Sequence, residues 1–318
     1  MESGVSAHEQ FMHASMRGYV AAVIALVVQA AAFTAQSTNP LDLLKEAVAP
    51  GERLSYGSGA LQFGELRVPD GPGSHPVAIL VHGGCWLAKL GQLPEAATSL
   101  DTLRPLSVAL AQNGIATWNI EYRRLGNDGG GWPGTYEDLA KATDFIRELA
   151  PTRHLDLQRV VLVGHSSGGH LALWLAARHK LPADSPLRTA SPLRVAGVVD
   201  IDGPPDLESV IGMERQVCGA PVVEQLLGGT PAEFPSRYRQ ASATGLLPMG
   251  TKQELLIADR HNDQWIESIK SYATAAKNAG DSVTVTMMQN SGHFDGLNPK
   301  APAWNTVLAS IRSILGTR

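Results

Sequence analysis

The stretch Arg159 to Arg178 (RVVLVGHSSGGHLALWLAAR) constrains this chain more than any other. Val160 to Val163 is a short, apolar, mostly β-branched run, too brief for a helix of its own, and Gly164 ends it. After Gly164-His165-Ser166-Ser167-Gly168 a helical pattern runs from Gly169 to His179. In the context of strand, sharp turn and helix, G-x-S-x-G holds its serine in a strained turn with the hydroxyl at the tip. Glycines on either side leave room for strand and helix to approach closely. A plain Gly/Ser connector would carry the same five residues, but it needs neither the strand before nor the helix after. Ser166 is therefore a candidate nucleophile with a helix N-terminus behind it.

The same alternation extends along the chain. A short helix over Leu41 to Val48 stops at Pro50-Gly51, and Leu61 to Val68 alternates like an antiparallel edge strand. Apolar strands are expected at Val77 to Val81, Ile115 to Glu121, Val195 to Ile201, Leu255 to Ala258 and Val283 to Met288. Helices are expected at Ala96 to Gln112, Tyr136 to Ala150, Gln264 to Ala279 and Ala303 to Leu315. The segment from Gly203 to Gly250 is irregular, rich in Pro and Gly, and reads as a cap or insertion. Strands apolar on both faces, alternating with helices, predict an α/β fold: a central, mostly parallel sheet covered on both sides. Residues 33–318 suffice for one such domain.

The N-terminus reads as an address rather than as fold. Arg17 precedes an apolar run from Tyr19 to Val28, and Ala30-Ala31-Ala32 supplies an A-x-A cleavage pattern. That run is about half of the ~20 residues that a spanning helix needs. Residues 1–32 are thus expected to be a signal peptide, with Met12 or Met16 as the natural start because Glu2 and Glu9 do not suit a positive leader. Secretion or a periplasmic location would follow. An uncleaved anchor is the rival, and only that would tie the chain to a membrane. A net charge of −4 and the absence of basic runs argue against nucleic acid as a partner. The two cysteines, Cys85 and Cys218, have no metal-ligand spacing. They form either one disulfide or two unpaired thiols.

A serine hydroxyl needs a base within hydrogen-bond reach, and the base needs an orienting carboxylate. His293, in Asn290-Ser291-Gly292-His293-Phe294-Asp295 just after the last predicted strand, is the candidate base. Asp263, in the loop after the penultimate strand, is the leading candidate acid. Asp259 is the first alternative, and Asp202, with Asp200 beside it, the second. An oxyanion hole needs backbone donors aimed at developing negative charge. The turn His82-Gly83-Gly84-Cys85 after an earlier strand would supply the amides of Gly84 and Cys85, and the residue after the nucleophile that of Ser167. No metal or cofactor is called for.

HGGCW, NGIATWNIEYRR, GHSSGGHLALWLAAR and SGHFD together resemble the α/β-hydrolase superfamily, and within it the HGGxW group of esterases and kynurenine formamidase-like enzymes. The likeness runs from about Leu61 to the C-terminus. It implies an α/β-hydrolase fold and a serine hydrolase acting on carboxylic esters through an acyl-serine. Arylformamidase activity on N-formylkynurenine is the alternative, and a catalytically dead fold used for binding is a third reading. Glu121-Tyr122-Arg123 matches a pattern that is structural in the group. Where relatives read D-x-x-V-P after the acid strand, this chain reads Asp263-Gln264-Trp265-Ile266-Glu267, keeping the apolar residue but not the proline.

Trp86, Trp132 and Trp265 are candidate walls of a substrate pocket, whereas Trp118, Trp174 and Trp304 fall in predicted elements and are expected in the core. Arg237 and Arg239 in the cap would meet an acidic substrate or, more simply, water. The expected partner is a small-molecule ester; the oligomeric state is not legible.

Overall fold

The computed structural model describes residues 37–45 and 48–317. The expected leader, residues 1–32, lies outside them. Eight strands form one sheet in the order β1-β2-β4-β3-β5-β6-β7-β8. The strands are β1 Glu52–Ser55, β2 Phe63–Arg67, β3 His75–Val81, β4 Ala116–Ile120, β5 Leu155–His165, β6 Gly197–Ile201, β7 Lys252–Ala258 and β8 Val283–Met288. β2 runs antiparallel to β1 and β4, and every pairing from β4 through β8 is parallel. β1 was not anticipated: its ERLS has no apolar alternation, and it is largely exposed at the sheet edge.

Helices cover both faces. They are α1 Pro40–Lys45, α2 Arg104–Gln112, α3 Gly134–Arg153, α4 Ser167–Ala177, α5 Glu214–Cys218, α6 Val222–Leu227, α7 Pro235–Ala241, α8 Asp263–Asn278 and α9 Ala303–Leu315. Successive side chains of a strand point to opposite faces. Val77, Ile79 and Val81 of β3 accordingly join one apolar cluster with α3, α4 and α8. Ala78 and Leu80 join the other with α2 and α9. A strand buried on both faces must be apolar throughout, which is why these segments were legible as strands. Trp118, Trp174 and Trp304 are buried as expected.

The helix expected from Ala96 begins as two 3₁₀ turns, Glu95–Thr98 and Leu100–Leu103, and becomes α-helical only at Arg104. Pro105 is the cause: it fits a first helical turn but cannot donate within a helix interior. The segment after β6 carries α5, α6 and α7, three short helices separated by left-handed glycine caps and turns. The two cysteines pair: Cys85, after β3, is bonded to Cys218, at the end of α5, across 133 residues of sequence.

Candidate active site

β5 delivers Ser166 and α4 leaves from it. Ser166 has φ 56° and ψ −127°, a backbone conformation that a side chain adopts only where the surroundings impose it. The flanking glycines show what imposes it. A Cβ on Gly164 would stand 2.1 Å from the Gly168 carbonyl oxygen, and one on Gly168 would stand 2.1 Å from that of Val81. Only glycine lets strand, turn and helix approach this closely. The Ser166 amide donates to the Ile201 carbonyl at 2.8 Å, so the elbow is fastened to the end of β6.

That register decides which carboxylate belongs to the site. His165 pairs with Ile201 across β5 and β6, so the next residues, Ser166 and Asp202, leave the sheet side by side. Asp202 is buried, and its Oδ1 accepts the Ala258 amide at 2.8 Å. Its Oδ2 faces His293 Nδ1 at 3.5 Å. Neither atom has another hydrogen-bond partner among the described residues. Such contacts are often long without substrate and tighten in the reacting complex.

The acid assignment from sequence is therefore corrected. Asp263 is exposed in the first turn of α8, directly after the helix cap formed by Asn262, whose Oδ1 accepts from Gln264 and Trp265. A carboxylate there complements the helix dipole and has no need of an imidazole. Asp259 accepts the amides of Asn290 at 2.8 Å and Ser291 at 2.9 Å, which lowers its pKa and moors the loop that carries His293. Asp200 takes the Gly203 amide and lies against Gly169, beneath the elbow helix.

The loop of His293 is held at several points. The Asp295 carboxylate accepts the Gly292 amide at 2.7 Å and the Thr38 amide at 2.7 Å, tying in the segment that leads to α1. The buried His165 ring contacts the His293 main chain, with Nε2 2.9 Å from its carbonyl oxygen. His261 stacks on Trp265 and meets the His293 ring edge-on at 4.9 Å. His165 ends β5 within the elbow and His261 lies on the loop after β7, and the fold brings both rings against His293.

The turn after β3 has three successive positive φ values, at Gly84 (111°), Cys85 (57°) and Trp86 (56°). Gly84 lies against Thr98, 2.7 Å from where its Cβ would be. The amides of Gly84, Cys85 and Ser167 donate to no protein acceptor among the described residues, which leaves them available as the donors expected from sequence. A buried ionic group backs the turn. Glu121 receives His82 Nε2 at 3.2 Å and Arg124 at 3.1 Å, and Tyr122 donates its hydroxyl to the His82 carbonyl at 2.7 Å. Burial pushes the Glu121 carboxyl up, but His82 and Arg124 more than offset it and hold it low. Glu121 and Tyr122 are thus scaffold, as the resemblance implied, and Arg123 pairs with Asp138.

Ser166 and His293 line one pocket of about 170 Å³ with Gly83, Gly84 and Cys85. This is below the ~300 Å³ at which pockets for drug-sized ligands begin. None of the three tryptophans expected as walls lines it. Trp86 is buried, its N–H donating to His170 Nδ1 at 3.1 Å, and it anchors the turn to α4. Trp132 packs on Tyr136 and donates its amide to Leu226. Trp265 supports the acid, its indole N–H donating to the Asp202 carbonyl at 3.0 Å. The walls are instead Pro40, Leu90, Leu93, Ala97, Val217 and Phe294. Leu90, Leu93 and Phe294 lie in loops, and Pro40, Ala97 and Val217 in helical segments of four to six residues, too short to show a period. Arg237 lies over the Phe234 ring and donates to Leu227, while Arg239 is exposed.

Burial lowers the His293 pKa to about 4, so its imidazole is neutral and able to accept a proton near neutrality. Burial raises Asp202 to about 6. A base that must be neutral and a carboxylate that must be ionised both fail on the acid side. The two groups face each other at 3.5 Å and titrate as a pair, so as pH falls the pair takes up a proton and the state with a neutral imidazole and an ionised carboxylate is lost. kcat/KM for an ester should therefore be level above about pH 7 and fall below pH 6. A pH–rate profile checks this; unchanged activity down to pH 4 would contradict it.

A sheet of this order, with a strained serine at the carboxyl end of β5 and an imidazole returning after β8, defines an α/β hydrolase. The BD-FAE family model matches residues 66–277. The chain belongs to that family. Among curated proteins none matches the chain. Among solved structures, esterase B from Lactobacillus rhamnosis, inhibited by a C4-C4 tributyrin phosphonate, is 18% identical over 94% of each chain, with a TM-score of 0.69. The esterase Est2 of Thermogutta terrifontis is 18% identical, covering 85% of this chain and 92% of its own, with a TM-score of 0.66. A truncated carbohydrate esterase from gut microbiota is 19% identical, covering 83% of this chain and 95% of its own, with a TM-score of 0.65. At these identities the likeness speaks to the fold.

Proposed function

We propose that this chain is an exported serine hydrolase that cleaves short-chain carboxylic esters. The observation that carries the reading is the strained Ser166 sharing one small apolar pocket with His293, whose Nδ1 faces the buried Asp202. The esterase names of its structural neighbours support it. Ser166 Oγ attacks the ester carbonyl while His293 takes its proton, and Asp202 fixes the imidazole tautomer and stabilises the imidazolium. The amides of Gly84, Cys85 and Ser167 receive the oxyanion. His293 returns the proton to the leaving alcohol, and water then releases the acid from the acyl-serine by the same route.

The Cys85–Cys218 disulfide supports export, because such bonds persist in oxidising compartments and are rare in the cytosol. It agrees with the leader expected in residues 1–32. No helix among the described residues is long and apolar enough to cross a membrane.

The test is a panel of p-nitrophenyl esters beside N-formylkynurenine, with a fluorophosphonate probe on the same samples. Acetate and butyrate esters should be turned over fastest and the probe should label Ser166. Preference for N-formylkynurenine would make the chain an arylformamidase. No labelling and no turnover would leave a dead fold that binds.

A further inference from the structure

The disulfide and the pocket meet at one residue. Cys85 lies in the oxyanion turn and lines the pocket. Its partner Cys218 ends α5, and the residue before it, Val217, lines the same pocket. Val217 is 37% exposed, and the one other exposed large hydrophobic among the described residues is Leu41, at 40%. Leu41 follows Pro40, another wall of the pocket. Val217 is thus the exposed large hydrophobic that lines this small cavity, and with Pro40, Leu93 and Phe294 it forms an apolar wall where an acyl chain would lie.

Among the described residues, no side chain of the helix that carries Val217 makes a hydrogen bond or ion pair. α5 spans five residues, below the length at which a helix is stable by itself. Its Glu214 is buried, and neither carboxylate oxygen has a hydrogen-bond partner among the described residues. A buried carboxylate without a partner favours movement toward water. The covalent bond to Cys85 acts against that movement.

We propose that Val217 limits the acyl chain length this site accepts, and that the Cys85–Cys218 disulfide holds it in place, so that reducing the bond widens selectivity toward longer chains. The proposal rests on the reading of the chain as an ester hydrolase. In the reduction, the two thiols of a dithiol such as dithiothreitol give two electrons and two protons to the S–S bond. Cys85 and Cys218 become thiols, and the reductant closes to its own cyclic disulfide. α5 is then free to move off the pocket. Val217 is a specificity residue in contact with the chain, and the disulfide is a positioning element.

The experiment compares kcat/KM for p-nitrophenyl acetate, butyrate and octanoate. Val217→Ala should raise the octanoate-to-acetate ratio about tenfold, and Val217→Trp should lower the butyrate-to-acetate ratio by a similar factor, the scale set by one or two methylene contacts in an apolar pocket. Cys218→Ser, and wild type treated with dithiothreitol, should shift the ratio in the same direction as Val217→Ala. Cys218→Ser should not respond to dithiothreitol. If Cys218→Ser fails to fold, the Val217 variants and the reduced wild type still decide the matter. Unchanged ratios would overturn the proposal. So would an equal fall in kcat on all three esters at constant KM, which is the signature of a bond serving only the oxyanion turn. A wild type that hydrolyses no ester would instead overturn the underlying function.

Discussion

Ser166→Ala should lose kcat on short esters by a factor on the order of 10⁵ to 10⁶, with KM little changed. That is the scale on which removal of a triad serine acts in a subtilisin-type hydrolase, where binding and the oxyanion donors leave a small residual rate. The loss is chemical. Without the hydroxyl no acyl-enzyme forms, and His293 has no proton to accept. Alanine faces the same backbone demand at φ 56° as serine, so the thermal midpoint should barely move. Steady-state kinetics and a melting curve on one preparation check both halves. A variant that keeps a tenth of its activity would mean that Ser166 is not the nucleophile.

Asp202→Asn should cost about 10⁴-fold in kcat, the scale seen when a triad aspartate is replaced without disturbing the geometry. An amide can stabilise the wrong imidazole tautomer and offers no charge to the imidazolium. Asp263→Asn should change kcat by less than about threefold. Its expected effect is on stability, where a carboxylate in the first turn of a helix contributes about 0.3–1 kcal/mol. Asp259→Asn should fall between them, because it loosens the backbone that leads to His293 without touching the ring. The reverse ranking of Asp202 and Asp263 would move the acid back to the loop after β7.

These three aspartates mark where sequence reading stopped. All three follow predicted strands, and the sequence reading put Asp263 first, Asp259 next and Asp202 last, an order that fails because rank depends on where each side chain points. Pairing of His165 with Ile201 sets Asp202 next to Ser166. The Asn262 cap turns Asp263 out at the start of α8. The tryptophans failed for a related reason. A large aromatic beside a catalytic motif looks like a wall, yet Trp86 and Trp265 are buried and spend their indole N–H groups on His170 and on the Asp202 carbonyl. The cysteine pair was left open because 133 residues separate its members and only the packing of α5 against the oxyanion turn brings them within bonding distance.

The amino-acid sequence by itself determined what is local or periodic. Apolar runs on both faces dictated a covered parallel sheet, and glycines with no room for a Cβ dictated the elbow at Ser166. The position of His293 just after the last strand made it the candidate base. The tertiary structure alone decided what depends on contacts between distant segments: the carboxylate that faces His293, the apolar walls and the disulfide. Strand and turn formation is governed by neighbours within a few residues, whereas the meeting of two loops depends on the register and twist of the whole sheet between them.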